Sequence, residues 1–192
     1  LWIAAFFLWS NVPLESNYFI DHPRPPNQQF TPISDSIFYE SQAHRFLAGE
    51  GFGEESQHPF YSFLLSGLHL LGGDHYLDIY RLQIAILAVT PYFLYQLGKL
   101  LGSRFTGWLV AGLFLVREYN ALQLGDTITV SNVQVLMTEP LATLGVGIIL
   151  YLIIRWLETA PSSKGLPVLI GAVIGITTLV RVELLAWVIL FL

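Results

Sequence analysis

The sequence has no cysteine, a single methionine, and few charges of either sign: nine Lys plus Arg against fourteen Asp plus Glu in 192 residues, a net charge of −5. Without thiols there is no disulfide framework, no zinc-finger spacing and no cysteine nucleophile, and the redox compartment stays undetermined. Lysine occurs only as Lys99 and Lys164, and no basic run could neutralise a row of phosphates, so nucleic acid is not an expected partner. The five histidines, His22, His44, His58, His69 and His75, show neither H-E-x-x-H nor another metal-ligand spacing, which argues against a zinc hydrolase. No Ser/His/Asp set and no G-x-S-x-G elbow is present. The "GEGFG" of residues 49–53 is not a phosphate cradle, because Glu50, Glu54 and Glu55 would repel an anion and no strand precedes it. It reads as a turn between two helices.

What is abundant is apolar surface. Hydrophobic residues make up 54% of the chain, charged residues 12%, and mean hydropathy is +0.58, beyond the balance of a soluble globular domain. The expected solvent is lipid. The chain starts without Met in "LWIAAFFLW" and stops in "LLAWVILFL", each about half the roughly 20 residues a spanning helix needs. The expectation is the N-terminal part of one transmembrane domain over residues 1–192, cut inside a membrane helix at each end. A signal peptide at residues 1–9 is the alternative, but it lacks a basic leader and an A-x-A-like cleavage site. Membrane helices are expected at about 1–10, 79–98, 104–117, 139–157, 166–181 and 184–192. Glycines at 107, 112, 145, 147, 171 and 175 are expected to permit close helix approach.

Charge suggests the orientation. With residues 10–78 outside, Lys99, Arg104, Arg155 and Lys164 fall inside, and every acid but Glu158 falls on the other side. The resulting first extracytoplasmic loop is far longer than a connector requires. Residues 21–32, "DHPRPPNQQFTP", are proline-rich and read as extended or disordered. Beyond them a helix is expected at about 34–48, with Ser34 as cap, Gly49 as stop, and Ile37, Phe38, Phe46 and Leu47 sharing an apolar side. A second is expected at about 59–72, opened by Pro59 and stopped by Gly72 and Gly73. Both read as amphipathic helices on the membrane surface.

The candidate chemistry is carboxylate chemistry. Asp35 opens the first surface helix one turn before Tyr39, at a membrane boundary where partial desolvation suits a general base; helix capping is the competing role. Glu139 lies just before Pro140 at the outer mouth of a membrane helix, where a Glu turned to lipid is costly and a cavity is the expected surrounding; a helix start accounts for it equally simply. Arg81, Arg117 and Arg181 each stand at the expected outer end of a membrane helix and suit a lipid phosphate, or simple pairing with Asp78, Glu118 and Glu183. His58 begins the second surface helix, on the side where Asp35 is expected.

In order along the chain, "DSIFYESQAHRFLAGEGF", "HPFYSFLLSGLHLLGG", an arginine opening the next helix, "TEPLATLGVGIILY" and "TTLVRVELL" resemble the GT-C glycosyltransferases. The nearest group is the one containing protein O-mannosyltransferases and aminoarabinose transferases. The resemblance spans nearly the whole chain through a series of loose motifs. It implies an all-α polytopic bundle in the plasma membrane that moves one sugar from a polyprenyl-phosphate carrier to a glycan, lipid or protein acceptor on the extracytoplasmic face, with inversion. By that likeness Asp35 is the base, Glu139 the second acid, and an arginine among Arg81, Arg117 and Arg181 holds the phosphate, with Tyr39 and His58 lining the substrate site. Many relatives carry two adjacent acids where this chain has Asp35 followed by Ser36, which leaves a divalent metal there as an option rather than a requirement. Relatives are also longer, and this piece alone is expected to be inactive. A polytopic transporter, or a scaffold whose outer loop binds a partner, remains the non-enzymatic alternative.

Overall fold

The computed structural model describes residues 1–53, 58–159 and 165–185, and these are all-helical with no strand. The helices are α1 (Trp2–Ser10), α2 (Asp35–Leu47), α3 (Pro59–Gly72), α4 (Tyr76–Leu87), α5 (Thr90–Leu101), α6 (Arg104–Gln123), α7 (Thr138–Thr159) and α8 (Gly165–Val180), followed by a 3₁₀ turn at Val182–Leu184. Most of the segment expected as a helix at 184–192 lies outside the described residues.

Local chemistry explains the ends. Pro59 occupies the first turn of α3, where its missing N–H costs nothing. Gly49 closes α2 at φ 81°. Its N–H donates to Phe46 O and the Glu50 N–H to Arg45 O, a Schellman stop that an L side chain would strain. Pro91, in the first turn of α5, denies a hydrogen bond to the Leu87 carbonyl and breaks one long helix into α4 and α5.

Among the described residues two helices are long and apolar enough to cross a membrane: Tyr76–Leu101, which runs through that break, and Thr138–Glu158. At 1.5 Å per residue both exceed the roughly 30 Å of a hydrocarbon core. Only 33% and 17% of their apolar windows are buried in the protein, less than the core helix of a soluble fold, which is mostly buried. α8 is apolar but shorter, and α6 presents Phe105, Trp108, Leu109, Leu113 and Val116 outward. Contiguous apolar surface of this kind marks association with lipid or another protein.

Small residues set the helix spacing at two places. A methyl added at Gly107 would lie 2.6 Å from the Tyr95 carbonyl, and one at Gly145 would lie 2.5 Å from Thr177 Oγ1; these glycines admit the neighbouring helix. Gly112, Gly171 and Gly175 face open space, and a methyl on Gly147 would meet only Phe93 Cβ, at 3.8 Å, so the close-approach expectation fails at those four positions.

The long first loop is built rather than loose. Asp21 N donates to Thr31 O and Ile33 N to Phe19 O, both at 2.9 Å, and Arg24 pairs with Asp21 at 2.6 Å. The proline-rich stretch expected to be disordered is therefore an ordered turn whose base, at Phe19 and Ile20, joins a core with Tyr39, Ala43, Tyr61, Leu65, Leu68, Ile79, Tyr80 and Val135–Met137. A second core gathers Ala5, Trp9, Val12, Ile84, Leu87, Ala88, Leu122 and Val133.

Ile37, Phe38 and Leu47 of α2 turn out of the protein, the direction expected of a helix lying on a membrane surface. The buried face of α2 carries Ser36, Tyr39, Glu40, Gln42 and Ala43. Two of these polar groups find partners on α3: Ser62 Oγ donates to Gln42 Oε1 at 2.9 Å, and Glu40 meets His69. A buried polar group that is paired avoids the desolvation penalty of an unpaired one.

Candidate functional site

The segment between α6 and α7 positions the site. Residues Asn132–Thr138 are buried, although no run of helical or strand character holds them. Gln83 Nε2 donates to Val133 O and Val135 O at 3.1 and 2.8 Å, and its Oε1 accepts from the Tyr61 hydroxyl at 2.7 Å. From the other side Gln134 Nε2 donates to Trp9 O and Val12 O at 3.1 and 2.9 Å. Backbone carbonyls buried without regular structure need such partners. Both amides are buried polar residues whose role is invisible in the sequence, because their partners lie about 50 and over 120 positions away.

This clamp delivers Thr138 and Glu139 to an open cleft of about 820 Å³. The cleft is lined by Ser34, Asp35 and Tyr39 of the α2 turn, His58 before α3, Met137–Glu139 at the head of α7, and Arg181 after α8, with Ile37 and Phe38 at its rim. Five of the seven residues singled out in the sequence, Asp35, Tyr39, His58, Glu139 and Arg181, thus share one cavity. Arg81 and Arg117 do not line it. Arg81 is exposed and lies 3.7 Å from Asp78, while Arg117 pairs with Glu118. In each case an acid within one turn satisfies the arginine locally.

Arg181 links the cleft's charges. Its guanidinium meets Glu139 Oε1 at 2.7 Å and Glu183 Oε2 at 3.5 Å. Partial burial works against the charged form, but the two carboxylates outweigh it and hold the Arg181 pKa above its ordinary value. The backbone amide of Glu183, and then Arg181, hold the Glu183 carboxyl below the usual range. Glu139 also borders a smaller cavity of about 140 Å³ shared with Arg117, Glu118 and Ser131, so its side chain faces space rather than lipid. Ser131 Oγ reaches its Oε2 at 3.5 Å.

Asp35 is the first residue of α2 and stands exposed at the mouth; the chain itself does not enclose it as the sequence reading expects. It is not the cap. The cap position belongs to Ser34, whose side chain makes no capping bond and whose φ of 56° is strained for a residue with a Cβ. Strain of that kind is held by surrounding structure and collects at functional sites. Behind Asp35, burial raises the Tyr39 phenol, opposed by a side-chain hydrogen bond with Thr138 and reinforced by the charges of Glu139 and Asp35. The His58 ring stacks edge-on against Tyr39 at 5.5 Å, and its Nδ1 lies 2.8 Å from Val180 O. A carbonyl only accepts, so Nδ1 carries the proton and Nε2 is left to accept, or to donate when the ring is charged.

The cleft carboxylates do not converge as metal ligands. Among the described residues the one group of three His or acidic side chains with ligand atoms within 4.8 Å of each other is Glu40, His44 and His69, a set that excludes Asp35 and Glu139. The sequence reading misses it. The available signal was Glu40 and His44 at helical i, i+4 spacing. Comparison with protein-family models, with curated proteins and with solved structures finds no match to this chain, so the functional reading rests on the geometry of this cleft.

Proposed function

We propose that the chain is part of an integral-membrane inverting glycosyltransferase of the GT-C type, taking a monosaccharide from a polyprenyl-phosphate carrier to an acceptor at the extracytoplasmic face. The observation that carries this reading is the convergence of Asp35, Tyr39, His58, Glu139 and Arg181, from four separated stretches of sequence, on one cleft. That cleft is lined by polar side chains together with the apolar Ile37 and Phe38, the mixed chemistry that suits a sugar joined to an isoprenoid tail.

In this reading Asp35 accepts the proton of the acceptor hydroxyl as its oxygen attacks the anomeric carbon. The bond from that carbon to the phosphate oxygen breaks on the opposite face, and the polyprenyl phosphate leaves against Arg181. Glu139 orients the guanidinium through the 2.7 Å contact, while the longer contact to Glu183 is the one a phosphate would displace. Phosphate is a workable leaving group once its charge is held, so alignment and charge stabilisation supply most of the acceleration. Among the described residues Asp35 and Glu139 belong to no cluster of metal-ligating side chains, and no step here depends on a metal.

Placement at helix ends supports this reading over a transporter. A transporter collects its polar groups at the membrane midplane, whereas here the acids and Arg181 stand at helix ends, at the start of α2 and α7 and just after α8. The test is transfer of a labelled sugar from a polyprenyl-phosphate donor by the full-length membrane protein, wild type against Asp35→Asn. Loss of a general base should lower turnover by about 10²-fold or more with the melting temperature unchanged. Equal transfer by both proteins, or none by the wild type, overturns the proposal.

A further inference from the structure

On the far side of α2 from the cleft, Glu40 Oε1 lies 2.7 Å from His69 Nε2 and 3.1 Å from His44 Nε2. The tautomer of His69 is fixed by its other nitrogen: Nδ1 is 3.0 Å from the Gly73 carbonyl, which can only accept, so Nδ1 carries the hydrogen. The Nε2 lone pair of the neutral ring then points at an ionised oxygen that also only accepts. Two lone pairs at 2.7 Å require a positive centre shared between them, either a proton or a metal ion. The second carboxylate oxygen, Glu40 Oε2, lies in a residue only 3% exposed and has no hydrogen-bond partner within 3.5 Å; the Tyr76 phenol is the neighbouring hydroxyl that bears on this carboxylate. A buried oxygen short of a bond within that distance calls for an explanation, of which an unseen water or ion is one.

We propose that Glu40, His44 and His69 form a divalent-metal site of zinc type, clamping α2 to α3. Zinc takes nitrogen at about 2.0–2.1 Å and carboxylate oxygen at about 2.0–2.2 Å in tetrahedral array, which places neighbouring ligand atoms about 3.4 Å apart. The three donor atoms here lie within 4.8 Å of one another, with a shortest separation of 2.7 Å. Small side-chain rotations bring them onto that geometry. The hydrogen bond from Nδ1 to Gly73 O is the outer-shell contact that metal-bound histidines ordinarily make, orienting the ring and raising its basicity. His44 is half exposed, so the fourth position opens to solvent and is filled by water. The site is separate from the cleft, yet Glu40 directly follows Tyr39 on α2, and a metal there fixes the helix that carries Asp35.

The experiment uses the full chain purified in detergent without a polyhistidine tag, stripped with a chelator and then titrated with Zn²⁺ by calorimetry, with bound metal counted by elemental analysis. One equivalent is expected, together with a rise in melting temperature. His44→Ala, half exposed and therefore tolerated by the fold, should bind at least tenfold more weakly and lose the thermal response. His22→Ala, a histidine outside the cluster, should behave as wild type. Cobalt in place of zinc should give the intense visible bands of a tetrahedral site. A stripped wild type that melts cooperatively yet takes up no zinc, or a His44→Ala protein that binds as well as wild type, overturns the proposal and leaves a proton as the shared centre. Sugar transfer is not the readout, so this result stands or falls independently of the transferase reading.

Discussion

Replacing Gln83 by Leu tests whether the buried amide clamp holds the segment that presents Glu139. The substitution roughly keeps volume but removes one acceptor and two donors. It strands the Tyr61 hydroxyl and the Val133 and Val135 carbonyls, all in buried residues. An unsatisfied buried group costs about 1–3 kcal/mol, so three at the lower end give about 3 kcal/mol. At roughly 2–4 °C per kcal/mol for a chain of this size, the melting temperature should fall by about 6–12 °C. The double mutant sharpens the reasoning. Tyr61→Phe alone strands only Gln83 Oε1, for about 1 kcal/mol, but in the Gln83→Leu background it removes an orphan hydroxyl and should restore about 1 kcal/mol. Thermal melts of the four proteins in one detergent, followed by tryptophan fluorescence, read both quantities. A double mutant destabilised by the sum of its parts would refute the account, because the two side chains would then be acting independently.

Other outcomes follow from packing and titration. Gly145→Ala places a methyl 2.5 Å from Thr177 Oγ1 and 2.6 Å from its Cγ2 and should destabilise by about 1–3 kcal/mol; Gly112→Ala, facing open space within α6, should instead gain up to about 1 kcal/mol from helix propensity. Thermal denaturation of the pair distinguishes contact from composition. Burial holds both the Tyr39 and Tyr61 phenols above the ordinary 10. Unfolded tyrosines ionise near that value while the folded ones stay protonated, so the folded state binds more protons. This stability is fully present below pH 10 and is lost as pH rises, with a slope of up to about 1.4 kcal/mol per pH unit for each tyrosine. Melts between about pH 8 and 11 should show that decline, and Tyr61→Phe should flatten it; an unchanged slope in the variant refutes the assignment.

What the sequence makes legible is punctuation and polarity. Pro59, Gly49 and Gly73 mark helix ends through conformational limits that act locally, and α2 and α3 begin and end beside them. Asp35, Glu139 and Arg181 are readable because an acid or arginine at the end of an apolar run has few inexpensive places to go. What stays hidden depends on distant partners. The Ser131–Met137 segment has no periodicity, and its order comes from Gln83 and Gln134. His69 meets Glu40 only after α3 folds against α2. Arg81 and Arg117 resemble Arg181 in the sequence, yet a nearby acid, Asp78 or Glu118, takes each of them out of the cleft. The sequence pattern of α2 likewise does not say which of its residues the protein encloses: Ile37, Phe38 and Leu47 are exposed, while Ser36, Glu40 and Gln42 are buried.

That sidedness bears on how variants of α2 are to be scored. A scale that equates greasiness with importance would rank Ile37, Phe38 and Leu47 as the sensitive positions and Ser36, Glu40 and Gln42 as tolerant ones. The opposite ordering is expected for folding, since the first three touch little inside the chain while the others are enclosed by it. Drift at the outer three can therefore track whatever the helix rests upon, while the inner three remain under the constraint of their neighbours.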